Sequence, residues 1–545
     1  MPEAAPAEEK PKTVEEQIDA IFAPWNRSDA PGMAVGVVKD GKSVFRRGYG
    51  MASLESRVAI APTTRLRIGS TSKHFTAMLA LLLQEDGKLD LDAPIRTYVP
   101  ELTGPGGEPT ARQLLQHRGG SRCYLDIGFL MHGMLAPPVG EALKVQSRQT
   151  GRNFAPGTSM IYNNGGYHMV SIAIERVGGA PFEEQLKTRL FDKVGMPDTL
   201  SLPSDHIILP GMATMHVPSP TGGWRRGLFP SEEVRGEGAI VSTIDEMLRW
   251  TAHLRTRDKF GTKETWRQLT ELPVYADGSK GGYALGLMFE DYRGLPTMHH
   301  AGGVIGGTCQ MLTFPDHGLD IVILINGAPA ANAVRLAEQI ADVVLADQLA
   351  PEDEKLDPKA HEALLGRWYS PDSGLTYDFL DEQGEVKIAL CGMPMGQRLR
   401  QDGDGKLVSP PSSIGAIEVD ASGAGKGAID VRFGGQSATY RKVEKAEAVD
   451  DAFAQAVEGR YTSVDGGGAV TLRREDGKLI ARFADEPGSV EVELNQLAGL
   501  DVLGATVMRP DAMHFTVLNF DRTGDKAKGF VMNSMRTRGL AFERA

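Results

Sequence analysis

Residues 68–75 read IGSTSKHF and place Ser70 and Lys73 three positions apart. At the start of a helix, residues i and i+3 share a face, so Lys73 reaches the Oγ of Ser70 and can take or relay its proton. The helix N-terminus adds a positive dipole end and a free N–H beside the nucleophile, which is half of an oxyanion hole. The plain alternative is a serine N-cap followed by an exposed lysine. The pair is the only S-x-x-K in the 545 residues, yet a short motif decides little alone, and the rest of the chain has to arbitrate.

The surroundings fit a helix start. LRIG runs straight into STSKHFTAMLALLLQEDGKLDLD, whose apolar spacing from Phe75 to Leu83 is helical and stops at Asp86-Gly87. Upstream, MAVGVVKDGKSVFRRGYG (33–50) alternates apolar and polar residues about a DG turn and predicts a β-hairpin. Residues 110–200 mix helical stretches with Gly/Pro punctuation. MHHAGGVIGGTCQMLTFPDHGLDIVILIN (298–326) predicts two or three strands with a PDHG turn, and 332–349 a closing helix. PEDEKLDP (351–358) reads as a linker. Beyond it short alternating strands dominate. ALLGRWYSPDSGLTYDFLDEQGEVKIAL (363–390) is echoed by AVEGRYTSVDGGGAVTLRREDGKLIARF (456–483), at an offset of 93 residues. The echo implies two small antiparallel β domains of similar fold.

Bulk properties narrow the field. With 545 residues the chain exceeds one compact core. A net charge of −12 leaves no basic stripe for nucleic acid. No apolar run approaches the roughly 20 residues of a membrane helix. MPEAAPAEEKPKTVEEQ has no apolar signal core, so 1–13 reads as a disordered polar leader. A signal removed beforehand would leave the same start, so cytoplasm and periplasm stay open. Cys123, Cys309 and Cys391 are too far apart for a disulfide framework or a C-x-x-C metal site. HEALL (361–365) has Leu365 where a zinc-binding helix needs its second histidine.

Two further motifs follow the first. PGTSMIYNNGGYH (156–168) holds Tyr162-Asn163-Asn164, the only Y-x-N. A tyrosine polarised by a lysine can act as general base and then protonate a leaving group, while Asn164 holds the lysine and a substrate carbonyl. Otherwise Tyr162 is a loop residue before a helix. H-x-G occurs at His300-Ala301-Gly302 and at His117-Arg118-Gly119. His300 opens a strand-rich segment, and Gly302 lets a strand edge approach a substrate closely, with the Gly303 N–H completing the oxyanion hole. His117, in a Gly-rich loop, reads as packing.

In that order, with 89 residues from Lys73 to Tyr162 and 138 from Tyr162 to His300, the motifs make residues 30–350 resemble the penicillin-recognising serine hydrolases. The likeness is to the branch of class C β-lactamases, DD-peptidases and esterases, with FAPGTSMIYNNGGYHMV and GEGAIVSTIDEMLRW in support. His300 stands where true class C β-lactamases have the lysine of K-T-G, which weighs against a dedicated β-lactamase. The whole layout looks like the bacterial D-aminopeptidase family. That resemblance implies an α/β (α+β) β-lactamase/transpeptidase-like catalytic domain with a central antiparallel sheet, followed by two small lipocalin-like β-barrels. The expected limits are 14–350 for the catalytic domain, 351–358 for the linker, 359–445 and 446–545 for the barrels.

The resemblance also implies acyl transfer with no cofactor. Ser70 attacks, Lys73 with Asn164 and Tyr162 shares the proton work, Ser70 and Gly303 N–H groups hold the oxyanion, and His300 lines the cleft. In that family a loop of the last barrel limits substrate length at the site. Here ADEPGSV (484–490) is the expected loop, with Asp485 or Glu486 binding a substrate ammonium or else forming a solvated acidic turn. Tyr124, in HRGGSRCYLDIG (117–128), is a candidate substrate contact. The expected substrate is a short peptide or amide containing D-residues, with no nucleic-acid or membrane partner and a homodimer open. Rival readings are a peptidase for linear D-residue peptides such as linearised cyanobacterial toxins, an esterase or β-lactamase-like hydrolase, and a non-turning-over β-lactam or peptidoglycan-fragment sensor.

Overall fold

The computed structural model describes residues 13–545 except 134, 230, 328–330, 392, 394–395, 410–415, 445–448, 485–487, 500, 510–511 and 523–524, and except the side chains of 508–509 and 512–514. The expected leader therefore lies outside the described residues apart from Thr13, which caps the first helix, Val14–Phe22, through a capping box with Glu16.

A six-stranded antiparallel sheet forms the centre of the N-terminal part. Its order is Met288–Tyr292, Leu295–Val304, Gly307–Phe314, Leu319–Ile325, Met33–Lys39, Lys42–Tyr49. The predicted 33–50 hairpin and the strands of 298–326 are all in it. LDIVILI is buried along its whole length, as expected of a strand covered on both faces. Ile321, Ile323 and Ile325 pack with Ile18 and Phe22 of the first helix and with Leu336 and Ile340 of the helix Ala333–Val344. Val322 and Leu324 face the other way, into a larger core with Phe75, Leu79 and Trp250. The closing helix is shorter than the pattern 332–349 suggests: it ends at Val344.

That larger core positions the nucleophile. Gly69–Ser72 is one tight 3-10 turn that leads directly into the helix Lys73–Glu85, capped by Asp86. From Lys73 to Leu83 every side chain of this helix is buried. It packs against a second buried helix, Asn164–Gly178, whose N-cap is Asn163.

After residue 350 the chain forms two barrels. The first is a nine-stranded sheet whose edge strands are Gln397–Arg398 and Arg400–Gln401. Only Leu399 separates those edges in the chain, so the sheet is nearly closed. The second is a closed eight-stranded barrel, sealed where Tyr461 pairs with Arg544. The sequence echo is structural: strands Gly366–Ser370, Leu375–Asp381 and Val386–Leu390 correspond to Gly459–Ser463, Gly468–Glu475 and Lys478–Phe483. It extends to hydrogen bonds. Buried Trp368 donates Nε1–H to Leu364 O at 2.8 Å, and buried Tyr461 donates its hydroxyl to Val457 O at 2.6 Å. Each aromatic plugs its barrel while its polar atom is satisfied four residues upstream. Cys123, Cys309 and Cys391 are buried free thiols.

Candidate active site

Ser70 lies in the turn Gly69–Ser72, and the strand Leu295–Val304 presses against that turn. A Cβ on Gly302 would sit 1.9 Å from Ile68 O and 3.2 Å from Ser70 N, and one on Gly69 would sit 2.7 Å from Gly303 N. Both positions therefore require glycine, and Gly69 also has φ +53°. Thr71 Oγ1 donates to His300 O at 3.1 Å and ties turn to strand. The backbone N–H groups of Ser70 and Gly303 are thus brought to one place, and the Cβ direction of Gly303 opens onto free space.

Lys73 is fully buried, with Nζ donating to Ser70 Oγ at 3.2 Å, Asn164 Oδ1 at 2.8 Å and Glu237 O at 2.6 Å. Its ammonium lies 4.8 Å from the ring centre of Tyr162 and 5.4 Å from that of Tyr167. Burial lowers its pKa to about 7, against the pull of Glu237 and with the push of Arg536. At neutral pH a large share of Lys73 is an uncharged amine able to accept a proton. Burial raises Tyr162, against the pull of the Ser70 hydroxyl and of Arg536, so its phenol stays protonated. Beyond that interaction with the Ser70 hydroxyl, its buried hydroxyl has no hydrogen-bond partner among the described residues, which leaves it free for a reacting group. The tyrosine is thus a proton donor, and the amine is the base.

His300 is fully buried, and both ring nitrogens are engaged: Nδ1 donates to Ala301 O at 2.6 Å and Nε2 meets Tyr283 Oη at 3.0 Å. Burial, with Lys73 nearby, holds its pKa well below the ordinary histidine value, so the ring is neutral. His300 shapes the wall behind Tyr162 and does not line an open cleft, because its polar atoms are spent inside the protein. Tyr124 is likewise committed: its hydroxyl donates to Glu237 Oε1 at 2.7 Å. It steadies the residue whose carbonyl holds Lys73 and is not a substrate contact. His168 completes this buried pair at 3.0 Å from Glu237; burial opposes its charge, but Glu237 and Glu233 outweigh that and raise its pKa to about 9.

His117, which reads as packing, packs against the site itself. Its ring centre is 4.1 Å from Tyr162 and 4.5 Å from Tyr283, and its Nδ1 accepts from Asn163 N–H at 3.1 Å. It is held at φ +58°, a strained conformation of the kind stored at functional sites.

Both barrels touch the Tyr162 segment. In the first, Gly434 O accepts from Met160 N at 2.8 Å and from Ser159 Oγ at 2.6 Å. In the second, the loop 534–539 lays the Arg536 guanidinium 5.3 Å from the Tyr162 ring centre. Of the expected loop 484–490, Gly488 packs on His132 and Gly133, at the end of the helix Tyr124–His132, while Asp485 and Glu486 lie outside the described residues. Arg536 has no sequence motif around it, and only the docking of the barrel reveals it.

A family model described as Beta-lactamase matches residues 13–345. The D-aminopeptidase of Brucella anthropi is 29% identical over 367 residues, covering 66% of this chain and 67% of that protein. The D-aminopeptidase of Gluconobacter oxydans is 28% identical, covering 69% and 70%. Among solved structures, the octameric penicillin-binding protein homologue from Pyrococcus abyssi covers 97% of this chain and 99% of its own, with TM-score 0.55 and 18% identity. A D-amino acid amidase from Ochrobactrum anthropi SV3, complexed with L-phenylalanine, covers 61% and 99%, with TM-score 0.51 and 20% identity.

Proposed function

The chain belongs to the Beta-lactamase family, and on that footing we propose that it is a serine hydrolase that cleaves short peptides or amides of D-amino acids through an acyl-enzyme on Ser70. The observation that carries the reading is the lysine: a buried Nζ with a pKa of about 7, within 3.2 Å of Ser70 Oγ. Ser70 Oγ attacks the carbonyl carbon while its proton passes to neutral Lys73. The oxyanion forms between the Ser70 and Gly303 N–H groups. Tyr162 gives its proton to the leaving nitrogen as the C–N bond breaks, and is reprotonated from the Lys73 ammonium. Water then attacks the ester by the same route, releasing the acid and restoring Ser70. Asn164 and the Glu237 carbonyl fix Lys73 in both halves of the cycle.

The D-configuration rests on the likeness to proteins named D-aminopeptidase. It is tested by hydrolysis of D-Ala-p-nitroanilide against the L-isomer, with nitrocefin and p-nitrophenyl acetate alongside and Ser70→Ala as blank. Faster turnover of the D-isomer by roughly a hundred-fold is expected, since a misoriented carbonyl loses the effective molarity of the site. Equal rates for both isomers would remove the D-preference, and activity on the ester or nitrocefin alone would move the assignment to an esterase, a lactamase or a peptidase needing longer peptides.

A further inference from the structure

Arg536 is a charge with no counter-ion. Among the described residues no carboxylate lies within ion-pair distance of its guanidinium. Asp126, which acts on it through space, accepts a hydrogen bond from Ser534 Oγ at 2.6 Å instead. The groups closest to it, Cys123 and Tyr162, are held protonated by burial and so do not neutralise it. Burying a cation without a carboxylate partner is expensive.

The loop is nevertheless built to hold the side chain there. Arg122 donates Nε–H to Arg538 O at 2.8 Å and an Nη2–H to Gly539 O at 2.6 Å, and is itself anchored on Asp465 at 2.6 Å. Asn153 donates to Arg536 O at 2.9 Å and accepts from Arg538 N–H at 2.7 Å. The catalytic domain thus grips the loop on both sides of Arg536. The residue as a whole is partly exposed.

We propose that Arg536 is the binding point for a carboxylate on the substrate, so that the site selects short peptides carrying a negative charge beside the scissile carbonyl over neutral amides. A guanidinium forks onto a carboxylate through two parallel N–H···O bonds, and a partly desolvated arginine already paid for in the free protein gains most from such a partner. The carboxylate has two possible sources: the C-terminus of a dipeptide's leaving residue, or an acidic group on the acyl side. The inference rests on the hydrolase reading for the place of the scissile bond, but the arginine site itself can be probed without turnover.

The test uses Ser70→Ala protein and calorimetric binding. D-Ala-Gly is compared with D-Ala-Gly amide for the leaving side, and N-succinyl-D-Ala amide with N-acetyl-D-Ala amide for the acyl side. At least one acid is expected to bind ten-fold or more tighter than its neutral partner. Arg536→Gln should erase that ratio, and Arg536→Lys should retain part of it. Equal affinities within both pairs, or a ratio that survives Arg536→Gln, overturns the proposal. Should Arg536→Gln fail to fold, the acid-to-neutral ratio with Arg536 intact, and its partial reduction in Arg536→Lys, decide. In active enzyme, p-nitrophenyl hemisuccinate against p-nitrophenyl acetate reads the same preference without any D-residue. If that ester pair discriminates while no D-peptide is bound or cleaved, the D-substrate reading fails and the arginine site stands.

Discussion

Two halves of the molecule meet at Tyr162, and they are made differently. The catalytic domain supplies Ser70, Lys73, Asn164, the Glu237 carbonyl and the Gly303 N–H from two packed helices, one strand and a loop. Their hydrogen bonds close on one another. The barrels supply a carbonyl, Gly434 O, and a cation, Arg536, with no carboxylate partner among the described residues. On the proposed mechanism the first half is a self-contained acyl-transfer apparatus. The second adds nothing to bond-making and instead sets position and charge. The barrels also differ from one another despite their shared pattern. The nearly closed one reaches the Tyr162 segment through the Gly434 carbonyl and the apolar side chain of Phe433, and the closed one through a charged side chain, Arg536. A repeated scaffold therefore does not imply a repeated duty, because the duty lies in loops the repeat does not specify.

That division can be broken by experiment. Lys73→Ala should lower kcat by roughly a thousand-fold or more on peptide, amide and ester substrates alike, since residues acting as a unit fail together. A loss confined to one substrate class would put Lys73 with the specificity half. Gly434→Val should be milder: a Cβ there falls 2.2 Å from Met160 O, at φ +57°, and shifts the segment leading to Tyr162. A drop of roughly ten-fold in kcat/KM is expected, since a displaced proton donor is a positioning defect. An unchanged rate in a folded variant would show that the first barrel is only a brace. The smallest effect concerns pH. Lys73 works as the neutral amine, so activity should rise with pH through an acid limb near its pKa of about 7. Arg536 pushes that pKa down, so Arg536→Gln should move the limb to higher pH by less than about one unit. Gly434→Val should leave it in place. A limb that shifts with Gly434 and not with Arg536 would reverse the roles assigned to the barrels.

What the sequence reveals follows the same division. The cluster of Ser70, Lys73, Tyr162 and Asn164 is legible because the proposed chemistry needs those residue types at helix starts, and helix starts show in apolar spacing. The paired barrels are legible because one core pattern occurs twice. Glu237 is not, because it holds Lys73 with a backbone carbonyl, which any residue has. His117 and Tyr124 carry no signal of which wall they face until the helices are packed. Arg536 is one of 59 lysines and arginines, and it meets its anchor Asn153 across 383 residues of chain, a contact that no local pattern encodes. The loop 484–490 stands out in the sequence because it is acidic and flanked by strands; Asp485 and Glu486 lie outside the described residues.

The most direct measurement of the central claim is to trap the covalent intermediate. The enzyme is quenched in acid during turnover of D-Ala p-nitrophenyl ester, and its intact mass and peptide map are recorded. The account predicts a single D-alanyl adduct, on the peptide containing Ser70 and absent from Ser70→Ala, that forms more slowly when turnover is run below pH 6, where Lys73 is charged. An adduct on another residue, or full turnover by Ser70→Ala, would contradict it.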